Sequence, residues 1–324
     1  MNPIRSLLRN TSLGIVMTGA ALAAQAAYPD KPIKMVVPYP AGGSTDVVAR
    51  ALAHKLGERL KQPVVIENRG GASGMIGSEY VAQQPADGYT VVFTAADTHS
   101  INPHVYAKMR YDAKKDFVPV GRVGFLTMAL IVNPGKPSGS LSQYIDAARA
   151  KPGSFSYASW GNGSSSHVAM EMFNGDAKVK QVHVPYQGAA PALTAVIGGQ
   201  VDAMMVPLTL AEPNHRAGKV KLLGVAAPKR IEWANDLPTF AEQGLPLDGR
   251  LWLGVLGPAK MPAEAVNVLN REINAALQDP ALQETLRKNG LEIAGGTAQE
   301  FGKYLEAEYD RWGNTIRGAS IRVD

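Results

Sequence analysis

Two short stretches of this chain carry the residue types that hold an anion without using a charged side chain. In the first, Tyr39-Pro40-Ala41-Gly42-Gly43-Ser44-Thr45-Asp46, a Gly-Gly turn stands directly before Val47-Val48-Ala49-Arg50-Ala51-Leu52. Leu56 and Leu60 extend the apolar face of that segment at helical spacing, which predicts a helix. The first turn of a helix leaves several backbone N–H groups without intrahelical partners, and the helix dipole adds positive character at the same end. Gly42, Gly43, Ser44 and Thr45 therefore read as a cradle for a carboxylate or phosphate. An ordinary N-cap accounts for the Ser and Thr, but paired glycines exceed what capping requires. The second stretch, Gly161-Asn162-Gly163-Ser164-Ser165-Ser166, has the same character before another helical segment. Two such loops predict a clamp for one small anion. Asp46 reads differently: a carboxylate in a first turn serves the dipole and the loop amides, and shapes the pocket from behind.

Other chemistries find little support. The chain has no Gly-x-Ser-x-Gly elbow, no phosphate-loop Lys followed by Ser or Thr, and no pair of carboxylates that stands out as an acid/base couple. Gly71 to Gly77 places glycines three apart without the dinucleotide fingerprint. Ser164-Ser165-Ser166-His167 brings serine and histidine together, but neighbours on one helix start face different directions and make a poor dyad. A secreted hydrolase of carboxylated esters is thus the alternative, not the leading reading. His167 and Glu171 share a helix face, yet no third ligand stands at a convincing spacing, and His99 and His104 are equally unsupported. No metal and no cofactor are expected; His167 is expected to hydrogen-bond within its own loop. Tyr157, Trp160 and Tyr186 lie beside these loops, where an aromatic ring can keep a polar tip in a cleft.

The elements that must position these loops alternate strand and helix. Strands are expected at Ile33-Lys34-Met35-Val36-Val37, Val64-Val65-Ile66 and Tyr89-Thr90-Val91-Val92-Phe93, with a helix from Ile76 to Gln84. This pattern argues for an α/β unit on a mainly parallel sheet, whose ligands sit at the carboxyl ends of the strands. The loops at 39–46, 68–74 and 94–99 all follow strands. A long apolar stretch, Val118 to Val132, leads to a second set: a helix from Ser140 to Lys151, strands at 155–158, 182–186, 201–206 and 220–225, and helices after Ser166 and to Ile197. The last third reads as helical, with helices at 262–277, 280–289 and 297–316, the last opening on a capping box at Thr297-Ala298-Gln299-Glu300. Two interleaved lobes with a cleft between them are expected.

Composition and the N-terminus bound the compartment. Arg5 and Arg9 precede an apolar run, Leu13 to Leu22, too short to span a bilayer comfortably. Ala24-Gln25-Ala26 follows, so residues 1–26 read as a secretory signal peptide cut after Ala26, and the mature protein as periplasmic. There is no cysteine, hence no disulfide, thiolate metal site or lipid-attachment Cys. The formal net charge of +5 falls to +3 (5 − 2) without Arg5 and Arg9. The basic residues are scattered, which speaks against nucleic acid as a partner.

In this order the motifs resemble a known family. The chain is similar to the solute-binding proteins of the tripartite tricarboxylate transporter system, the Bug-type group, from Tyr28-Pro29-Asp30-Lys31-Pro32-Ile33 to Glu308-Tyr309-Asp310-Arg311-Trp312. Besides the two loops, the resemblance rests on Glu67-Asn68-Arg69-Gly70-Gly71-Ala72-Ser73-Gly74, Asp87-Gly88-Tyr89-Thr90, Val184-Pro185-Tyr186-Gln187-Gly188 and Gly198-Gly199-Gln200-Val201-Asp202. Leu237-Pro238-Thr239-Phe240 and Gly257-Pro258-Ala259 close the series. It implies a two-lobed, venus-flytrap fold of the type II periplasmic binding protein kind, with 27–127 and 251–324 in one lobe and 128–250 in the other. It also implies a small carboxylate ligand handed to membrane transporter subunits, or presented to a sensor receptor, by a monomer. Carried onto this chain, the first-lobe site comprises Tyr39, Ala41, Gly42, Gly43, Ser44, Thr45 and Asp46, with Gly74, Thr94, Ala95 and Thr98 beside them. The second-lobe site comprises Ser159, Trp160, Gly161, Asn162, Gly163, Ser164, Ser165 and His167, joined by Tyr186, Gly188, Ala189 and Met205. Trp160 stands where relatives carry smaller residues, and Gln187 where a lysine is more usual. The first could narrow the cleft or stack on a flat ligand; the second weakens long-range attraction for an anion.

Overall fold

The computed structural model describes residues 28–136 and 139–323, so the expected signal peptide lies outside the described residues. Strand and helix alternate from the start: β1 (Ile33–Val37), α1 (Ser44–Leu60), β2 (Val64–Asn68), α2 (Met75–Ala82) and β3 (Thr90–Ala95). A π-helical turn, Asp97–Ile101, then runs into α3 (Asn102–Val105). The apolar stretch expected around 118–132 is two strands, β4 (Phe117–Leu126) and β5 (Met128–Val132), separated by Thr127 alone. Between them the chain passes from one sheet to the other.

The second set is α4 (Leu141–Ala150), β6 (Phe155–Ser159), α5 (Ser165–Ala177), β7 (Gln181–Pro185), α6 (Ala189–Ile197), β8 (Ala203–Pro207), α7 (Leu208–Arg216) and β9 (Lys221–Val225). The chain closes with β10 (Leu251–Pro258), α8 (Ala263–Ala276), α9 (Pro280–Lys288), β11 (Leu291–Ile293) and α10 (Ala298–Gly318). The capping box is formed as expected: Thr297 caps α10 while the Glu300 side chain reaches back to the Thr297 amide.

Two sheets result, ordered β11-β4-β10-β3-β1-β2 and β7-β6-β8-β5-β9. Both are mixed, which corrects the expectation of mainly parallel sheets. β1 pairs in parallel with β2 and β3, but β10 lies antiparallel between β3 and β4. In the second sheet β6 pairs in parallel with β7 and β8, while β5 runs antiparallel to β8 and β9. Apart from β11, which lies antiparallel on β4 at the sheet edge, the exceptions are β5 and β10, by which the chain enters one sheet from the other without needing a βαβ connection. β10 also corrects the reading of the last third as helical. Its eight residues are all buried, and a continuous apolar run carries no periodicity to separate strand from helix.

One apolar cluster, with Leu52, Phe93, Val255 and Ile273, packs α1 and α8 on the first sheet. Another, with Ala192, Val196, Met204 and Val206, fills one side of the second sheet. A third joins the two sheets through Trp252 and Tyr157 with the helices α10 and α5 through Phe301 and Phe173. These cores fix the ends of β1, β3, β6 and β7, and thereby the loops that follow them.

Candidate functional site

A cleft of about 900 Å³ lies where those loops meet. On the side of the first sheet its wall is Tyr39, Pro40, Gly43, Ser44 and Thr45, with Ser73, Ala95, Asp97 and Asn102. On the side of the second it is Trp160 through Ser165, Gly188 and Ala189, then Pro207, Thr209 and Leu210. Leu126 and Leu251, the ends of the crossover strands, complete it.

Among the helices that begin at this wall are α1, α5 and α6. Gly43, the N-cap of α1, is extended at φ −72° and ψ 162°, and no side chain caps the helix. The first N–H drawn into the helix is that of Val47, 3.0 Å from the Gly43 carbonyl. The amides of Ser44, Thr45 and Asp46 are therefore left without helical acceptors. α6 likewise starts from Gly188 with no side-chain cap, leaving the amides of Ala189 and Ala190. α5 is capped by Ser164, whose Oγ accepts from the His167 amide at 3.3 Å. Three helix N-termini aimed at one space make it favourable for negative charge.

Beneath the first loop the Asp46 carboxylate is buried and accepts from Gly42 N–H at 2.8 Å, Arg50 Nε at 2.9 Å and Asn68 Nδ2 at 2.8 Å. Burial pushes its pKa up, but these hydrogen bonds outweigh that and hold the group below the usual carboxylate range. Asn68 also donates to the Tyr39 carbonyl at 3.2 Å, so one acidic side chain ties both ends of the loop. Gly74 serves the same shape: its φ is +85°, and a Cβ there would stand 2.6 Å from Thr98 Cγ2. Across the cleft Gly163 has φ +71°, and a Cβ would stand 2.4 Å from Val105 and 2.7 Å from Val323. The second loop is pinned further by Asn162 Nδ2, which donates to the Arg322 carbonyl at 2.9 Å.

Thirteen of the residues expected from sequence meet on the wall: Tyr39, Gly43 to Thr45, Ala95, Trp160 to Ser165, Gly188 and Ala189. The others stand behind or beside it. Ala41 and Gly42 are exposed and off the wall, and Asp46 and Gly74 support the loop. Thr94 and Thr98 are buried and share a 2.6 Å hydroxyl contact, with the Thr98 hydroxyl a further 2.7 Å from His99 Nδ1. Ser159 is buried against His183 Nε2 at 2.7 Å. Met205 is a core residue of β8 whose carbonyl accepts from the Ser166 hydroxyl at 2.5 Å. Tyr186 is half-buried against the core behind α6. Tyr157, expected beside the cleft, is fully buried, with its hydroxyl on Glu171.

His167 does bond within its loop: Nδ1 accepts from the Gly163 amide at 3.1 Å. Its ring stacks on His183 at 3.7 Å and 16°. Burial, with the neighbouring His183 adding to it, pushes the His167 pKa down to about 3, and burial alone takes His183 to about 4. Both are neutral near pH 7. The Ser164 hydroxyl donates to the Gly161 carbonyl at 2.7 Å, so neither it nor the Ser166 hydroxyl is bonded to an imidazole. Among the described residues no group of three or more His, Cys, Asp or Glu could hold a metal ion.

The family model for TctC, the tripartite tricarboxylate transporter family receptor, matches residues 48–321. Protein BugT of Bordetella pertussis is 33% identical over 316 residues, 96% of this chain and 97% of that protein. The chain belongs to the TctC receptor family. A Rhodopseudomonas palustris family structure with adipate superposes with TM-score 0.79 at 35% identity, covering 91% of this chain and 100% of that one. MatC from Rhodopseudomonas palustris, with bound malate, superposes with TM-score 0.73 at 30% identity, covering 89% of this chain and 100% of that one.

The wall of the cleft also holds residues that sequence reasoning did not single out. Leu126, Pro207, Leu210 and Leu251 are apolar ends of strands or starts of helices, indistinguishable in sequence from core. Asp97 lay inside the 94–99 loop, but its meaning depends on what faces it.

Proposed function

We propose that this receptor captures a small carboxylate in the cleft and delivers it to the membrane subunits of a tripartite transporter. One observation carries the reading: three helix N-termini converge on a cleft whose wall, among the described residues, contains no lysine or arginine. A carboxylate there accepts from backbone N–H groups, and such charge-assisted bonds strengthen as water is excluded. The relatives solved with adipate and malate support the ligand class. We assign residues 27–127 and 251–324 to one lobe and 128–250 to the other, joined at the crossovers of β4 to β5 and β9 to β10. Because the donors come from both lobes, a ligand selects the closed arrangement in which both are in reach. The protein works as a periplasmic monomer after cleavage behind Ala26. It binds without turnover, since the Ser164 and Ser166 hydroxyls are committed to backbone carbonyls.

The test is thermal unfolding of mature protein, stripped of copurified ligand by denaturation and refolding, against mono-, di- and tricarboxylates, amino acids and aromatic acids. A ligand at about a hundred times its dissociation constant is expected to stabilise the fold by about 2.7 kcal/mol. A silent panel on stripped protein overturns the reading.

A further inference from the structure

The cleft that attracts anions also contains one. Of the residues on its wall Asp97 alone bears a carboxylate, and Lys, Arg and His are absent from that wall. Asp97 opens the π-helical turn after β3, on the side of the first sheet. Its carboxylate meets its own backbone N–H and, from the second sheet's side, the hydroxyl and backbone N–H of Ser165, the first residue of α5. The Tyr39 phenol lies close enough to feel the same charge. Three arginines of the chain are engaged elsewhere. Arg69 lies over the Tyr80 ring at 3.5 Å, Arg122 donates to the Gly295 carbonyl at 3.2 Å, and Arg216 is paired with Glu212 and Asp236.

Serine donors and a helix N-terminus solvate a carboxylate but leave its charge uncancelled. Burial raises the Asp97 pKa against the pull of Ser165, as happens to an acid that has lost water and gained no cation. The charge also changes what the cleft selects. A dicarboxylate would bring a second negative group toward Asp97, and like charges brought together out of water repel each other strongly. A ligand with one carboxylate and one cationic nitrogen meets donors at α1 and α6 and a counter-charge at Asp97.

Resting on the carboxylate-receptor reading, we propose that Asp97 makes this cleft specific for zwitterions, carboxylates that carry an ammonium or other cationic nitrogen, over the matching dicarboxylates. Asp97 is the specificity-determining residue, and Ser165 holds it in place across the cleft.

The test uses matched pairs that exchange one carboxylate for an ammonium on similar frames: succinate with γ-aminobutyrate, adipate with ε-aminocaproate, and terephthalate with para-aminomethylbenzoate. Each is titrated calorimetrically into the mature protein and into Asp97→Asn, which keeps the size and the acceptor for Ser165. The expected result is that the wild type prefers the amino partner on the frame that fits by about tenfold or more, and that Asp97→Asn loses or reverses this preference. A wild-type preference for the dicarboxylates, or the same preference in both proteins, overturns the proposal and leaves the carboxylate-receptor reading standing. Silence of all six probes on both proteins overturns the two together.

Discussion

At the scale of single residues, binding divides between side chains that touch a ligand and side chains that hold the loops that do. Asp46 belongs to the second kind. It lies under the first loop with donors from Gly42, Arg50 and Asn68, and removing it leaves those groups unpaired. Asp46→Ala is expected to lower stability by about 2 kcal/mol and to weaken ligand binding through the slackened loop, read from urea unfolding and calorimetry. Unchanged stability would show that the bonds to Asp46 are not made. The types that form a cradle, glycine pairs and hydroxyls before a helix, were legible in sequence because their chemistry is local. Thr94, Ser159 and Met205 were not separable from cleft residues, because facing the cleft or the core is settled by the twist of a sheet that spacing does not report. Asp97 was hidden for a related reason: its role comes from the absence of a cation opposite, and sequence cannot display an absence in space.

At the scale of elements, α5 couples the second loop to a buried stack of imidazoles. His167 and His183 are held at about 3 and about 4, and burial takes His99, packed against Phe117 and Tyr111, to about 3 as well. An unfolded chain binds protons at these histidines below their ordinary value of 6.5, whereas the folded chain does not until far lower. The unfolded state thus holds more protons in that window, so stability is complete above 6.5 and falls as pH drops toward about 3. Each such histidine contributes a loss of up to roughly 1.4 kcal/mol per pH unit. Urea midpoints are expected to decline between pH 6.5 and pH 5, above the ordinary range of carboxylates. A flat profile there would contradict neutral burial of the three rings. Most helices and outer strands were legible at this scale, since alternation and caps such as Thr297 with Glu300 are local signals. β10 and α7 were not: the first is uniformly apolar, and the second carries Pro213 inside it.

For the whole molecule, the order of motifs along the chain pointed to the family and to two α/β halves, while the mixed sheets arise from crossings that no local pattern records. What the halves accomplish together is the central claim: one anion is gripped by helix N-termini from both. The most direct measurement is calorimetric titration of the strongest carboxylate responder into the wild type, Gly43→Asp and Ala189→Asp. Each substitution puts an acidic side chain at the start of a helix, where it favours the helix but repels a bound anion. Gly43 has an ordinary negative φ, and a Cβ there meets only the Pro40 carbonyl, at 3.6 Å, so the fold should tolerate the change. The expected result is unaltered unfolding with affinity reduced by about a hundredfold in each variant separately. Wild-type affinity in either one would show that its helix does not hold the ligand, and would contradict the two-sided grip.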